Sequence, residues 1–195
     1  MHEPPHPLAA AFEGYTPLEL PLGDLKPSAV LLLLVGSVGR EQIVFQVRTQ
    51  TVRHHKGEIS LPGGRRDEGD ESFLHTALRE TEEEVGVPRE AVRVLGALDD
   101  VETVGSRHLI RPYVGVLAEG VRPRITAARE VHELLHVPLA HLQEDGARVW
   151  KVVENEGVPQ PTPAFEYEGH VIWGATARIV GQFLDLTGAH RARVK

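Results

Sequence analysis

The stretch from Pro62 to Pro88 constrains the fold of this chain more than any other. Pro62-Gly63-Gly64 ends one element, and Gly86 with Pro88 ends the next. Between them, residues 70–85 set Leu74, Leu78, Thr81 and Val85 at i, i+4, i+7 and i+11, a single stripe at helical period. Gly86 stands where a glycine closes a helix, and Pro88 keeps the helix from resuming. At about 100° per residue, Glu80, Glu83 and Glu84 share one arc beside the apolar stripe, whereas Glu82 points elsewhere. With carboxylates about 6 Å apart and an effective dielectric of roughly 20, each such pair costs on the order of 2–3 kcal/mol. A hard divalent cation converts that repulsion into coordination. Mg²⁺ takes oxygen ligands and keeps room for water and for substrate phosphates. A merely solvated acidic helix face would leave the glycine turn, Arg79 and the closing glycine unexplained.

The rest of the chain supplies strands around this helix. Residues 28–35, which include an uninterrupted apolar run of seven at 29–35, read as a buried strand, which the Gly36-Ser37-Val38-Gly39 turn joins to residues 42–48 as a hairpin. Residues 58–61 read as a short strand. Residues 92–98 and 109–118 read as strands, the second expected at an edge or a bulge because Pro112 interrupts it. Residues 130–136 read as a short helix stopped by Pro138. Residues 148–154 and 165–167 are expected to pair across a Pro-rich loop at 157–163, 170–173 to form another strand, and 175–186 to form a terminal helix. Strands dominate and the two substantial helices are separated by most of the sheet, so the expected class is mixed α/β or α+β. Residues 1–27 carry six of the 14 prolines and no periodic pattern. They are expected to form an extended arm, with a short helical turn near 8–12, ahead of a domain spanning 28–190.

Composition removes several function classes. With no cysteine there is no disulfide, no Cys-ligated zinc, no iron–sulfur cluster and no thiol catalysis. A bilayer span needs roughly 20 apolar residues, so no membrane association is expected. There is no basic-then-apolar leader, which leaves a cytoplasmic enzyme as the expectation. The net charge of −7 argues against a nucleic-acid binder. Charge is unevenly spread. Residues 48–66 hold five bases (Arg48, Arg53, Lys56, Arg65, Arg66) against Glu58 alone, and residues 67–86 hold eight acids against Arg79 alone. A basic stretch abutting an acidic one suits a polyanion held beside a metal ion. On chemistry alone Arg48, Arg53, Lys56 and Arg65 are the natural partners for substrate phosphates.

Gly64, Arg79, Glu80, Glu83, Glu84, Gly86 and Val87 fall into register with the box G-x5-E-x7-R-E-U-x-E-E-x-G-U, and the chain resembles the Nudix hydrolases. Two departures are visible. Glu71, aligned with the first Glu, lies one residue further from Gly64, and Thr81 replaces an aliphatic residue. Both departures resemble the coenzyme A pyrophosphatase subgroup, as do Arg48, Arg53, Gly57, Pro62, Gly63 and Gly64 in the upstream stretch and residues 172–177 near the end. Gln46 and Thr49 depart from the subgroup's upstream signature. The resemblance implies a mixed sheet between helices, with the box as loop–helix–loop. It implies a Mg²⁺ site, with Mn²⁺ as substitute, held by Glu80 and Glu84, with Glu83 a third or water-mediated ligand and the Gly63 carbonyl a further one. Arg79 would orient glutamates. Glu83 is the first choice for general base, and Glu130 or Glu133 the second. The implied substrate is a small nucleotide, coenzyme A first. The alternatives are ADP-ribose or NADH, and more remotely a non-catalytic binding module. The sequence leaves open whether the chain works alone or as a homodimer.

One competing signal is His132-Glu133-Leu134-Leu135-His136, which matches the zinc-protease pattern H-E-x-x-H. Pro138 follows two residues later and no third ligand stands at a suitable spacing, so no bound zinc is expected there. His54-His55 and Asp99-Asp100 are candidates for pocket contacts, each equally well read as polar loop residues.

Overall fold

A computed structural model describes residues 5–49, 58–103, 105–155 and 158–193. After a 3-10 turn at Pro7–Phe12, the elements run β1 (Lys26–Val35), β2 (Gln42–Arg48), β3 (Ile59–Ser60), β4 (Gly63–Arg65), α1 (Phe73–Val85), β5 (Val92–Ala97), β6 (Val101–Glu102), β7 (His108–Leu117) and β8 (Val131–Pro138). They continue with α2 (Leu139–Leu142), β9 (Arg148–Asn155), β10 (Val158–Tyr167), β11 (His170–Trp173) and α3 (Gly174–Arg193). The main sheet has the order β3-β2-β1-β7-β5, with β4 also on β1, β6 on β7 and β8 on β2; β9, β10 and β11 form a second sheet. Only β1 and β7 run parallel within the main sheet, so it is mixed.

From Ala29 to Val35, β1 is apolar without interruption because both of its faces are covered. Ala29, Leu31, Leu33 and Val35 pack with Ala77 and Val85 of α1. Leu32 and Leu34 pack on the opposite face, in the core that holds Phe165, Ile172 and Phe183. The sheet thus lies between α1 on one side and α3 with the small sheet on the other, as expected. The ends of α1 are set by short-range chemistry. The Ser72 side chain accepts from His75 N–H at the start, and Gly86 takes the left-handed conformation at the end.

The strand pairing creates a fork. β1 meets β2 only from Leu33↔Val44 to Val35↔Gln42. Below that point β1 pairs with β4 (Val30↔Gly63) and β2 pairs with β3 (Gln46↔Ser60). Residues 59–65 therefore fill a gap between two diverging strands, directly beneath α1.

Three expectations are corrected. Residues 158–163, read as part of a Pro-rich loop, are the first half of β10 and pair with β9 from Val158↔Asn155 to Pro163↔Trp150. Residues 130–136 are not a helix; from Val131 on they belong to β8, which pairs antiparallel along the whole length of β2. A segment this short does not nucleate a helix without help, whereas the open edge of β2 offers it a ladder of backbone hydrogen bonds. Pro112 lies in a central strand, not at an edge, since β7 is flanked by β1 and β5. It is tolerated because β5 ends at Ala97 and β6 begins at Val101, which opens the ladder opposite it; its carbonyl accepts from Leu98 N–H at 2.9 Å.

The N-terminal segment is strapped to the body. Leu8 and Ala11 are buried, and Phe12 packs so closely on Gly96 that a Cβ there would lie 2.5 Å from its ring. Asp99 accepts from Tyr15 Oη (2.6 Å) and Leu18 N–H (2.7 Å), and Asp100 accepts from Leu20 N–H (2.9 Å). Asp99-Asp100 thus holds the arm. Asp100 is also paired bidentately with Arg111, at 2.9 Å for each bond.

Candidate active site

The fork and the α1 face above it bring together the box residues. Glu84 is buried (5% exposed) although it carries a carboxylate. Its Oε2 accepts from Gly63 N–H at 2.9 Å and from Gln46 Nε2 at 3.0 Å. Burial pushes its pKa up to about 7 against these two bonds, and neighbouring Glu80 pushes the same way. Glu80 is raised as well, by burial first, with Arg79 pulling it back. Two carboxylates are thus held in one partly dry place with less positive charge than they need.

The glycine turn makes that placement possible. Gly63 has φ +145°, and a Cβ on it would lie 2.3 Å from the Ala29 carbonyl oxygen, so only glycine fits. A Cβ on Gly64 would lie 2.6 Å from the Glu80 carboxyl carbon. The missing side chain at 64 is the space that the Glu80 carboxylate occupies. Leu31 N–H donates to the Pro62 carbonyl and Arg66 N–H to the Pro27 carbonyl. In the alternating ladder, the Val30–Gly63 pair is then one whose peptide groups turn away from each other. This frees Gly63 N–H for Glu84 and leaves the Gly63 carbonyl off the ladder.

Arg79 organises the acidic side. It donates through Nε to Asp70 Oδ1 and through Nη2 to Asp70 Oδ2, both at 2.9 Å, reaches Glu80 Oε1 at 2.9 Å and Glu83 Oε2 at 3.2 Å, and touches the Arg65 carbonyl at 3.3 Å. Asp70 is buried, and the Arg79 guanidinium holds its carboxyl well below the usual range, with help from Asp67 N–H and Thr76 Oγ1. Glu71, the residue aligned with the first box Glu, is exposed and contributes only its backbone N–H, to His75. The carboxylate that answers Arg79 is Asp70, at the unlengthened distance from Gly64. Glu82 points away, as expected, and pairs with Arg89. Thr81 is fully buried and satisfies its hydroxyl on the Ala77 carbonyl, 2.7 Å away, so the polar substitution carries no orphan.

The remaining candidates divide. Glu83 is 58% exposed at its side chain. Arg48, half-buried, raises the positive potential at Glu84 and has a buried Nε with no partner among the described residues. Arg65 is exposed beside the glycine turn, and Glu130 and Glu133 are exposed at the far edge of β2. Arg53, Lys56 and His54-His55 lie outside the described residues. Among the described residues no three His, Asp or Glu side chains converge tightly enough to hold an ion by themselves. That count includes the H-E-x-x-H stretch. Spread along a strand, His132 and His136 are about 13 Å apart, not one helical turn.

Two contributors were not foreseen. Gln46 stands in the inward register of an apolar strand, in line with Val44, where a buried amide signals a specific polar partner. Asp70 was hidden by the more obvious Glu71 next to it.

The NUDIX domain family matches residues 25–155. The chain belongs to the Nudix hydrolases. It is 34% identical over 161 residues to the "uncharacterized Nudix hydrolase NudL" of Photorhabdus laumondii, covering 83% of this chain and 85% of that one. Against the protein of the same name from Yersinia enterocolitica it is 35% identical over 152 residues, covering 78% and 77%. A crystal structure of a MutT/nudix family protein from Enterococcus faecalis superposes with a TM-score of 0.51 at 14% identity, over 95% of this chain and 68% of that one, a likeness of fold. As a Nudix hydrolase the chain acts on nucleoside diphosphate derivatives, hydrolysing a pyrophosphate bond. No helix among its described residues is long and apolar enough to cross a membrane.

Proposed function

We propose that the chain is a Mg²⁺-dependent pyrophosphohydrolase acting on coenzyme A, with residues 28–190 as the catalytic domain and 1–27 as its arm. The observation that carries the metal part is the buried Glu84 carboxylate set beside Glu80 against the Gly63-Gly64 turn. The donor set is all oxygen: two carboxylates, an off-ladder carbonyl at Gly63, and Glu83 within the same arc. A hard cation that keeps several waters fits such an incomplete cage, which favours Mg²⁺ with Mn²⁺ as substitute. When bound, the cation supplies a Lewis acid and lowers the pKa of the attacking water.

The chain's own residues do the rest. Glu80 and Glu84 hold the ion, and Arg79 fixes Glu80 and Glu83 through Asp70 without touching substrate. Glu83 is exposed enough to take a proton from water and return it to solvent, which makes it the first choice for general base. Glu130 and Glu133 are the second choice. Arg48 presents a buried N–H donor that has no partner among the described residues, and Arg65 an exposed guanidinium; with Arg53 and Lys56 they are assigned to the phosphates. Hydrolysis breaks one P–O bond of the diphosphate and gives adenosine 3′,5′-bisphosphate and 4′-phosphopantetheine. The subgroup assignment rests on the Arg48-to-Gly64 signature. Gln46 and Thr49 differ from that signature, and ADP-ribose or NADH is the second reading. A substrate panel at fixed Mg²⁺, read by product mass, tests both. CoA turned over with higher kcat/KM than dephospho-CoA, ADP-ribose and NADH supports the first, whereas inert CoA with active ADP-ribose replaces it by the second. No turnover of any diphosphate would leave a non-catalytic binding module.

A further inference from the structure

We infer that Gln46 is a positioning residue that fixes the orientation in which the Glu84 carboxylate faces the cation. Gln46 is 1% exposed and projects from β2 on the α1 side of the sheet, at the fork where β3 replaces β1 as its neighbour. Its Nε2 lies 3.0 Å from Glu84 Oε2 and 3.3 Å from Ser60 Oγ. A carboxylate only accepts, so the amide nitrogen must be the atom turned towards Glu84. Gly63 N–H reaches the same Oε2 at 2.9 Å. Two donors therefore occupy one oxygen, and among the described residues no donor reaches Oε1. Glu84 is held by one oxygen from below and left with the other to coordinate.

Gly63 N–H alone restrains Oε2 from one direction only. The Gln46 amide comes from the neighbouring strand and supplies the second direction. Gln46 Oε1 is buried with no partner among the described residues, so the amide keeps its orientation at the cost of an unsatisfied acceptor. An apolar side chain would avoid that cost, and the hydrogen bond to Glu84 is what the amide provides in return. Gln46 is also one of the positions where this chain leaves the signature it otherwise resembles.

The inference rests on the reading of Glu84 as a metal ligand, and direct Mn²⁺ titration followed by electron paramagnetic resonance separates the two. Gln46→Met keeps the volume and removes the amide; Gln46→Asn keeps the amide and shortens its reach. Partners that orient a metal ligand typically change affinity by about 10–100-fold. Both variants are therefore expected to weaken Mn²⁺ binding by at least about tenfold, and to raise the metal concentration for half-maximal activity more than they lower kcat at saturating metal. Melting temperature serves as the control for fold, and Gln46→Asn carries the test if Gln46→Met does not fold. Mn²⁺ affinity within twofold of the parent in a folded variant overturns the inference about Gln46. If Glu84→Gln also binds Mn²⁺ as the parent does, the metal site itself has been misassigned; if Glu84→Gln alone loses binding, only the role of Gln46 fails.

Discussion

Two segments of this chain carry a metal-type motif in a stretch that reads as helix, and only one of them is helical. Residues 70–85 bear Arg79, Glu80, Glu83 and Glu84, and residues 130–136 bear His132, Glu133 and His136. The first comes with its own stop signals, an N-cap serine, an apolar stripe and two glycines shaped to the carboxylates. The second has none of these and is recruited as a strand by the free edge of β2. Residue identity at helical spacing makes a site only where local chemistry enforces the helix. The same four-residue spacing that stacks two side chains one turn apart in α1 separates them by about 13 Å in β8.

The largest expected contrast is in activity. Glu80→Gln and Glu84→Gln each keep shape but remove charge. Loss of several kcal/mol of charge stabilisation corresponds to on the order of 10²–10³-fold in kcat/KM. His132→Ala and His136→Ala should stay within about twofold, and elemental analysis of the parent should find no stoichiometric zinc. Equal losses in both segments would erase the distinction.

Next comes the framework beneath the helix. Gly63→Ala forces a Cβ to 2.3 Å from the Ala29 carbonyl at φ +145° and should cost about 3 kcal/mol or more in urea unfolding. Asp70→Asn leaves Arg79 (14% exposed) without its main partner, and removing one member of a buried pair typically costs about 3–5 kcal/mol. Glu71→Gln, one residue along and exposed, should cost less than about 0.5 kcal/mol. Reversal of that order would return the Arg79 partner to Glu71.

The smallest effect is in pH dependence. Glu84 is raised from 4.5 to about 7 in the folded, metal-free protein. Between those values the folded chain holds a proton that the unfolded chain has released. The contribution of Glu84 to metal-free stability is therefore full below about 4.5 and is lost as pH rises through about 7. Thermal melts of the parent in chelator should show this fall on top of the other titrations, and Glu84→Gln should flatten it. Bound cation competes with the same proton, so Mn²⁺ affinity of the parent should rise with pH up to about 7.

Much of the fold was legible where punctuation and period agree. The β1–β2 hairpin, α1 with its closing Gly86 and the final helix all follow from turns and apolar spacing, whereas the prolines of residues 158–163 read as loop and hid the first half of β10. What sequence could not give were features decided by partners far along the chain. β8 became a strand because β2 lacked a neighbour, and Pro112 entered a central strand because β5 and β6 leave a gap beside it. At the site, the carboxylates and glycines were visible as a pattern. Gln46 and Asp70 were not, because their importance lies in one hydrogen bond to Glu84 and two to Arg79 that only the folded geometry creates.

The most direct measurement is a crystal structure of the protein with Mn²⁺, read by its anomalous scattering. The expected result is a peak bounded by Glu80, Glu84 and the Gly63 carbonyl, absent in crystals of Glu84→Gln. A peak at His132 or His136, or one that persists unchanged without the Glu84 carboxylate, would contradict the assignment of the fork beneath α1 as the catalytic centre.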